Sequence, residues 1–263
     1  MKNLLVLLLL AGASLCHAQT WEGGLYTGAS VYSGDLSPKV IPQYANFANA
    51  VGGLMLRYRG DGIIGARLSL NYTRLEGDDA RSAHPQRQLS FNSRLMEASL
   101  MAEWFMIRDN FLGDEPPVTP YLFGGLTVFH FNPYTQLNGF DVELQPLGTE
   151  GQGLEGYEEP YSRTQLAIPF GAGIKFKLGR RSALSFEITG RKLFTDYLDD
   201  VSGEVVDYSV IYEEKGVETA QASLPSVDPN GNRAPEQYFR RGGSRLDAYF
   251  IIGLGYTYKL NRW

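Results

Sequence analysis

The chain has 263 residues, with 29 acidic against 24 basic side chains and a net charge of −5. That balance argues against nucleic acid, which requires a basic face. A single cysteine, Cys16, excludes a disulfide framework.

Residues 1–18, MKNLLVLLLLAGASLCHA, read as a cleaved signal peptide. Lys2 precedes an apolar run from Leu4 to Leu10, and small residues Cys16 and Ala18 stand at the minus-three and minus-one positions of a cleavage after Ala18. Leu15, directly before the cysteine, argues against lipoprotein processing. Without Lys2 the count is 23 basic against 29 acidic residues, a net of −6. Residues 19–263 read as one domain. No later stretch approaches the roughly 18 uninterrupted apolar residues of a membrane helix. The negative mean hydropathy does not exclude a membrane barrel, whose strands alternate.

Period-two alternation places eight strands near 21–34, 49–58, 62–75, 91–107, 119–132, 165–178, 183–194 and 245–260. The third sets Ile64, Ala66, Leu68, Leu70 and Tyr72 against Arg67, Ser69 and Asn71. The sixth sets Leu166, Ile168, Phe170, Ile174 and Phe176 against Gly171, Gly173, Lys175 and Lys177. The last sets Phe250, Ile252, Leu254, Tyr256 and Tyr258 against Gly253, Gly255, Thr257 and Lys259. Bulky faces ending in tyrosine, opposed by glycine and charge, suit an apolar exterior in lipid and a polar interior. In the fifth segment both faces are apolar, and Pro169 in the sixth removes a ladder donor, which predicts a bulge or distorted register.

The connections alternate in length. RGDG at 59–62 and GRRS at 179–182 are tight, whereas 133–164 and 195–244 are long. Short turns shared with the termini and long loops at the other end fit an outer-membrane barrel with periplasmic termini and extracellular loops. The fold class expected is all-β, a single eight-stranded antiparallel transmembrane β-barrel in the cell outer membrane, touching outer-membrane lipid.

Eight strands close a lumen only wide enough for side chains. The inward phase carries Glu97, Glu103 and Glu187 with Arg57, Arg67, Arg191, Lys175 and Lys177, a set expected to neutralise itself as a hydrogen-bonded plug. In the 108–118 turn, Arg108, Asp109, Asp114 and Glu115 beside Pro116-Pro117 form a polar knob, the local candidate for a partner contact. Asp196, Asp199 and Asp200 lie where the seventh strand ends. They are a candidate Ca²⁺ set, against the blander reading of a loop base that caps backbone donors with Thr195. The run QPLGTEGQG at 145–153 lacks the Lys-Ser/Thr of a phosphate loop, and its glycines read as positive-φ turns in an ordered loop. The 204–244 region, rich in acids, reads as solvated. No cofactor motif is present.

Several words carry a resemblance over nearly the whole mature chain and in the same order. They are GDLSP at 34–38, QPLGTEGQG at 145–153, AIPFG at 167–171 and FTDYLDDVS at 194–202. Together they resemble the PorG-like outer-membrane barrels of the type IX secretion system of Bacteroidota. The resemblance implies a non-enzymatic accessory or structural component of the secretion machinery, associated with a periplasmic ring of PorK and PorN type. Two alternatives stand beside it. One is an outer-rim barrel enzyme acting on lipid or peptide, with His130 approaching Ser162 or the aspartates; the other is a stand-alone structural or adhesive barrel.

Overall fold

The structure, a computed structural model, describes residues 20–60, 63–82, 84–109, 115–227, 238–243 and 246–261. The expected signal peptide and Asp114 lie outside the described residues. The strands are β1 (Thr20–Ser33), β2 (Asn49–Arg59), β3 (Ile64–Asp78), β4 (Ser90–Phe105), β5 (Val118–Leu137), β6 (Phe140–Glu143), β7 (Thr164–Lys177), β8 (Ser182–Leu193), β9 (Val205–Asp207), β10 (Tyr238–Arg240) and β11 (Ala248–Lys259). Two short helices, α1 (Tyr208–Lys215) and α2 (Val217–Ser223), lie between β9 and β10.

Eight of these strands form an antiparallel meander in which β1, β2, β3, β4, β5, β7, β8 and β11 each pair with the next. β11 then returns to β1, from Glu22↔Lys259 to Ser33↔Ala248, and closes the wall. Closure leaves no unpaired barrel edge, the condition for placing strands in hydrocarbon. The eight predicted strands therefore correspond to the eight barrel strands, with ends differing by a few residues.

Period two decides which face meets the exterior. Ile64, Leu68, Leu70 and Tyr72 of β3 are exposed, while Arg67, Ser69 and Asn71 between them are buried. β7 exposes Leu166, Ile168, Phe170, Ile174 and Phe176 and buries Lys175; β11 exposes Phe250, Ile252, Leu254, Tyr256 and Tyr258 and buries Thr257. A soluble sandwich would turn these bulky faces inward. Here they form an apolar belt around a polar lumen, the arrangement of a transmembrane barrel. Exposed Trp21, Trp104 and Tyr258 lie at the strand ends nearest the termini, where amphipathic rings suit a membrane interface. This end, with the tight turns, is the turn end; the opposite one is the loop end. No described helix is long and apolar enough to cross a membrane.

Three features differ from the sequence reading. Pro169 makes no bulge: the β5–β7 register is the same on both sides, Gly124↔Phe170 and Thr127↔Ala167, and only the intervening pairs are missing. The proline removes a donor without adding a residue, so the ladder opens and the register stays. Second, β5 outruns the wall and folds back as the β5–β6 hairpin, Tyr134↔Glu143 to Leu137↔Phe140. Its turn residues Asn138 and Gly139 have φ of 53° and 84°, the two positive angles of a type I′ turn, and an Asn-Gly pair is the sequence signal for it. Third, the 204–244 region is not simply a solvated loop. Val206, Tyr208, Ile211, Ala220 and Val227 bury a small core of their own.

Close packing of β4 on β5 makes Gly125 obligatory. A Cβ there would lie 2.0 Å from the Leu100 carbonyl oxygen, whereas one at Gly52 would meet nothing within 4 Å. Gly125→Val should therefore cost at least about 1–3 kcal/mol and deplete the compact, heat-modifiable band on unheated gels, while Gly52→Val should migrate like the parent protein.

Candidate functional site

Two filled layers close the barrel interior. The lower one is ionic. Five buried carboxylates, Glu22, Glu97, Glu103, Glu115 and Glu187, face five buried cations, Arg57, Arg59, Arg67, Lys175 and Arg191. At mid-height Arg57 donates Nε to Glu103 at 2.7 Å and Nη2 to its other oxygen at 3.0 Å. Arg67 bonds Glu187 at 2.5 Å, and the Tyr121 hydroxyl donates to the same carboxylate. Towards the loop end, Arg191 forks onto Glu97 at 2.6 and 3.2 Å. Glu97 also accepts from Asn71 at 2.7 Å and from the Tyr249 hydroxyl. Towards the turn end, Lys175 joins Glu22 at 2.5 Å and Glu115 at 3.1 Å.

The rings of the fifth barrel strand complete this layer and explain its doubly apolar pattern. The Arg67 guanidinium lies 4.6 Å from the Phe123 centroid, and that of Arg59 lies 4.2 Å from Phe105 on β4. A void of about 10 Å³ beside Arg67, Asn71 and Arg191 has room for about one water. Solvated ions do not fit through such a lumen. Buried charge is tolerated here because each ion faces at least one opposite ion; removing one partner of such a pair costs about 3–5 kcal/mol.

The predicted lumen residues fall within this layer, with Lys177 at its rim, half-buried and 3.4 Å from the Glu115 carbonyl. Sequence reasoning missed Glu22, Arg59 and Tyr121, and placed Glu115 in the knob rather than the lumen. The knob residues separate. Arg108 is exposed, but Asp109 turns inward to Arg59 at 2.7 Å. Glu115 turns inward too, reaching Lys259 at 3.0 Å. Burial alone would raise the Glu115 carboxyl, but Lys175 and Lys259 outweigh it and hold it at about 2. These two acids plug the turn end rather than standing out from it.

Above the ions lies an apolar layer that includes Tyr32, Leu36, Leu75, Phe91, Leu95, Phe129 and Phe131. Over it the long loops fold into a cap. Three of the sequence words that carry the family resemblance meet there. From 34–38, Leu36 enters the apolar layer and Asp35 accepts from Gly243 N at 3.0 Å. From 145–153, Gly148, Gly151 and Gly153 adopt φ of 62°, 84° and 84°, as their residue type predicts, and turn Thr149 and Glu150 inward. Thr149 donates to Asp200, and Glu150 accepts from Ser202 N at 2.8 Å and from its hydroxyl at 2.5 Å. Arg241 fastens these loops, donating to Thr149, to the Asp200 carbonyl and, at 3.0 Å through Nε, to the Ser223 carbonyl.

Two of the three predicted aspartates have separate partners in this cap. Asp200 is fully buried and accepts from Thr149 and from Tyr161 at 2.7 Å. Asp199 accepts from Tyr32 at 2.5 Å and from Val201 N at 3.0 Å. Asp196 is half-buried, with the Thr195 hydroxyl beside it bonding Tyr197 N at 3.1 Å. Among the described residues no three His, Cys, Asp or Glu side chains are grouped to hold a metal, so the candidate Ca²⁺ set is not assembled. Asp199 and Asp200 are each drawn to different donors, whereas the buried Oδ1 of Asp196 accepts no hydrogen bond. His130 is exposed on β5 and shares a 3.0 Å hydrogen bond with Thr164, while Ser162 bonds the Thr164 carbonyl. It forms no pair with Ser162 or with the buried aspartates.

One group of acids has unusual protonation. The Tyr32 hydroxyl lies 2.5 Å from Asp199 and 2.8 Å from Asp247. Its one proton serves only one carboxylate, so the other bond needs a proton from the carboxyl itself. Burial raises both aspartates well above the ordinary range, and the charge of Asp199 raises Asp247 further. Asp35 and Asp196 add like charge to Asp199, and Asp196 itself is raised to about 7 by burial, Asp35 and Glu150.

Residues 1–213 match a family described as a domain of unknown function, DUF6089. The chain belongs to the DUF6089 family. No curated protein matches it. Among solved structures it is similar to Neisserial surface protein A at 11% identity, covering 92% of this chain and 97% of that one, with a TM-score of 0.43. It is also similar to the N-terminal β-barrel domain of Pseudomonas aeruginosa OprF (11% identity, 92% and 98% covered, TM-score 0.37). A third is Ail, the attachment invasion locus protein of Yersinia pestis (10% identity, 91% and 97% covered, TM-score 0.38). At such identities the likeness is one of fold alone.

The cap of this DUF6089 chain should respond to pH. Asp196, Asp199 and Asp247 titrate higher in the folded cap than in an unfolded chain, so the cap binds more protons than the unfolded loops do. Its stability is therefore fullest below about pH 4, the unfolded carboxyl range, and falls as pH rises through neutrality. Leu198 N donates to Asp247 and Val201 N to Asp199, each at 3.0 Å. Hydrogen exchange, corrected for its intrinsic pH dependence, should show these two amides less protected at about pH 8 than at about pH 5. Asp199→Asn, which removes one of the two carboxyls, should flatten the difference.

Proposed function

We propose that this protein is a non-enzymatic outer-membrane barrel that serves as an accessory or structural component of a type IX protein secretion machinery and docks a periplasmic lipoprotein ring. The observation that carries the reading is the filled interior. With a neutral ionic layer, an apolar layer and a cap closing the barrel, its chemistry lies in what its two ends bind rather than in what passes through.

Two further points support it. Three of the four sequence words behind the PorG-like resemblance build one cap, so that likeness lies in a structural unit and not in scattered wall residues. Thr20 and Asn261, the first and last described residues, share an end with the turns closed by the Gly60 N to Ile64 carbonyl and Leu178 N to Ser182 carbonyl bonds; in an outer-membrane barrel that end faces the periplasm. Exposed Arg108 lies there and, among the described residues of the predicted knob, is the charged side chain available to a ring of PorK and PorN type, since Asp109 and Glu115 are engaged inside.

Affinity capture from outer membranes extracted in mild detergent tests this. Ring proteins of PorK and PorN type should be recovered in near-fixed ratio to the barrel, and Arg108→Glu should reduce the yield without altering the barrel's heat modifiability. Recovery of the barrel alone, from extracts in which the ring stays intact, would refute the docking role.

A further inference from the structure

The cap has a cleft of about 560 Å³ on the side where the 150–158 loop faces Tyr197 and β9. Two of its walls are aromatic and held in place. Tyr197 stacks on Tyr161 with ring centroids 4.6 Å apart and an interplanar angle of 10°. Tyr157 lies against Gly151, where a Cβ would come within 2.4 Å of its ring, and Tyr157 N donates to the Leu154 carbonyl at 3.1 Å.

The polar lining is one-signed. Glu155, Glu158 and Glu204 are exposed at the cleft, with Glu158 also accepting from the Tyr197 hydroxyl at 3.3 Å. The other two carboxylates in the lining are already committed, Glu150 to Ser202 and Arg241 and Asp207 to the start of α1 through Ser209. No basic side chain lines the cleft among the described residues.

Gln152 supplies an independent pointer to a ligand. Its side chain is 3% exposed and lines the cleft. Glu150 N donates to its Oε1 at 2.9 Å, which fixes the amide orientation. Its Nε2 lies towards the Tyr197 hydroxyl but makes no hydrogen bond of ordinary length and angle. A buried amide donor left in this way calls for an acceptor.

Carboxylates and ring faces select a cation, and the Gln152 donor selects an acceptor next to it. A metal ion or a simple polyamine supplies the first and lacks the second. We propose that the cleft binds an arginine or lysine residue within an extended peptide, the cationic side chain among Glu155, Glu158 and Glu204 against the tyrosine rings and a peptide carbonyl on Gln152 Nε2. This site is independent of any secretion partner and lies at the end opposite Arg108.

Titration calorimetry on the full chain in detergent micelles at low salt tests it, with acetyl-Gly-Arg-Gly-amide as the probe. The peptide should bind saturably and one to one. Replacing its arginine with neutral citrulline should weaken binding at least about tenfold, the effect of losing a charge among several carboxylates. The surface double variant Glu155→Gln/Glu204→Gln should weaken it about fivefold, as expected for two solvent-accessible ion pairs, with unchanged heat modifiability. Guanidinium ion and spermidine should each bind more weakly than the peptide. Absence of saturable peptide binding, equal binding of the citrulline peptide, or an unaffected double variant would overturn the site. Tighter binding of spermidine or Ca²⁺ than of the peptide would overturn the assignment of its ligand.

Discussion

The ionic layer inside the barrel is the constraint on which the rest depends. An eight-stranded closed wall has an interior too narrow for bulk water and too polar in sequence for an oily core. Its charges are stable only in balance, and five acids against five bases supply that balance. The network spans the wall: Glu22 and Arg57 come from β1 and β2, Arg67 and Glu103 from β3 and β4, Lys175 and Glu187 from β7 and β8. Each strand therefore needs its neighbours in register, since a slip of one residue would turn these charges to the lipid. Charge pairing inside and apolar exposure outside are two consequences of the same alternation.

Above that layer the interior changes character. Aromatic and aliphatic side chains separate the ions from the cap, and the cap is built from loops far apart in sequence. Tyr32 at the end of β1 meets Asp199 and Asp247, and Thr149 meets Asp200 and Arg241. These contacts tie the long loops to a rigid wall, which gives a binding surface the precision that free loops lack. They also place several carboxyls out of water, so protons enter the stability of the cap.

The wall was legible because it obeys a period. β3, β7 and β11 alternate cleanly, and their inward Arg67, Lys175 and outward leucines and tyrosines lie where the pattern puts them. β5 was ambiguous because Tyr121, Phe123, Phe129 and Phe131 fill the lumen as space-filling rings, which one-dimensional hydropathy cannot tell from a lipid face. Glu22 was hidden beside Trp21 at a strand start, and Glu115 beside two prolines that read as a solvated turn. The cap was illegible for a different reason. The partners of Asp199 and Asp200 come from β1, the 145–153 loop and Arg241, and no local pattern reports such long-range meetings. The glycines of 145–153 did announce a shaped loop, and Asn138-Gly139 announced a hairpin that the loop reading passed over. Gln152 carried no signal at all, because its meaning lies in burial and an unmade hydrogen bond.

The filled lumen is the central claim, and single-channel recording of the purified protein in planar lipid bilayers tests it most directly. A barrel plugged by its own ion pairs and capped by its loops should insert without discrete conductance steps above the bare membrane. Regular ohmic steps from inserted, heat-modifiable protein would show an open water-filled path and contradict the account.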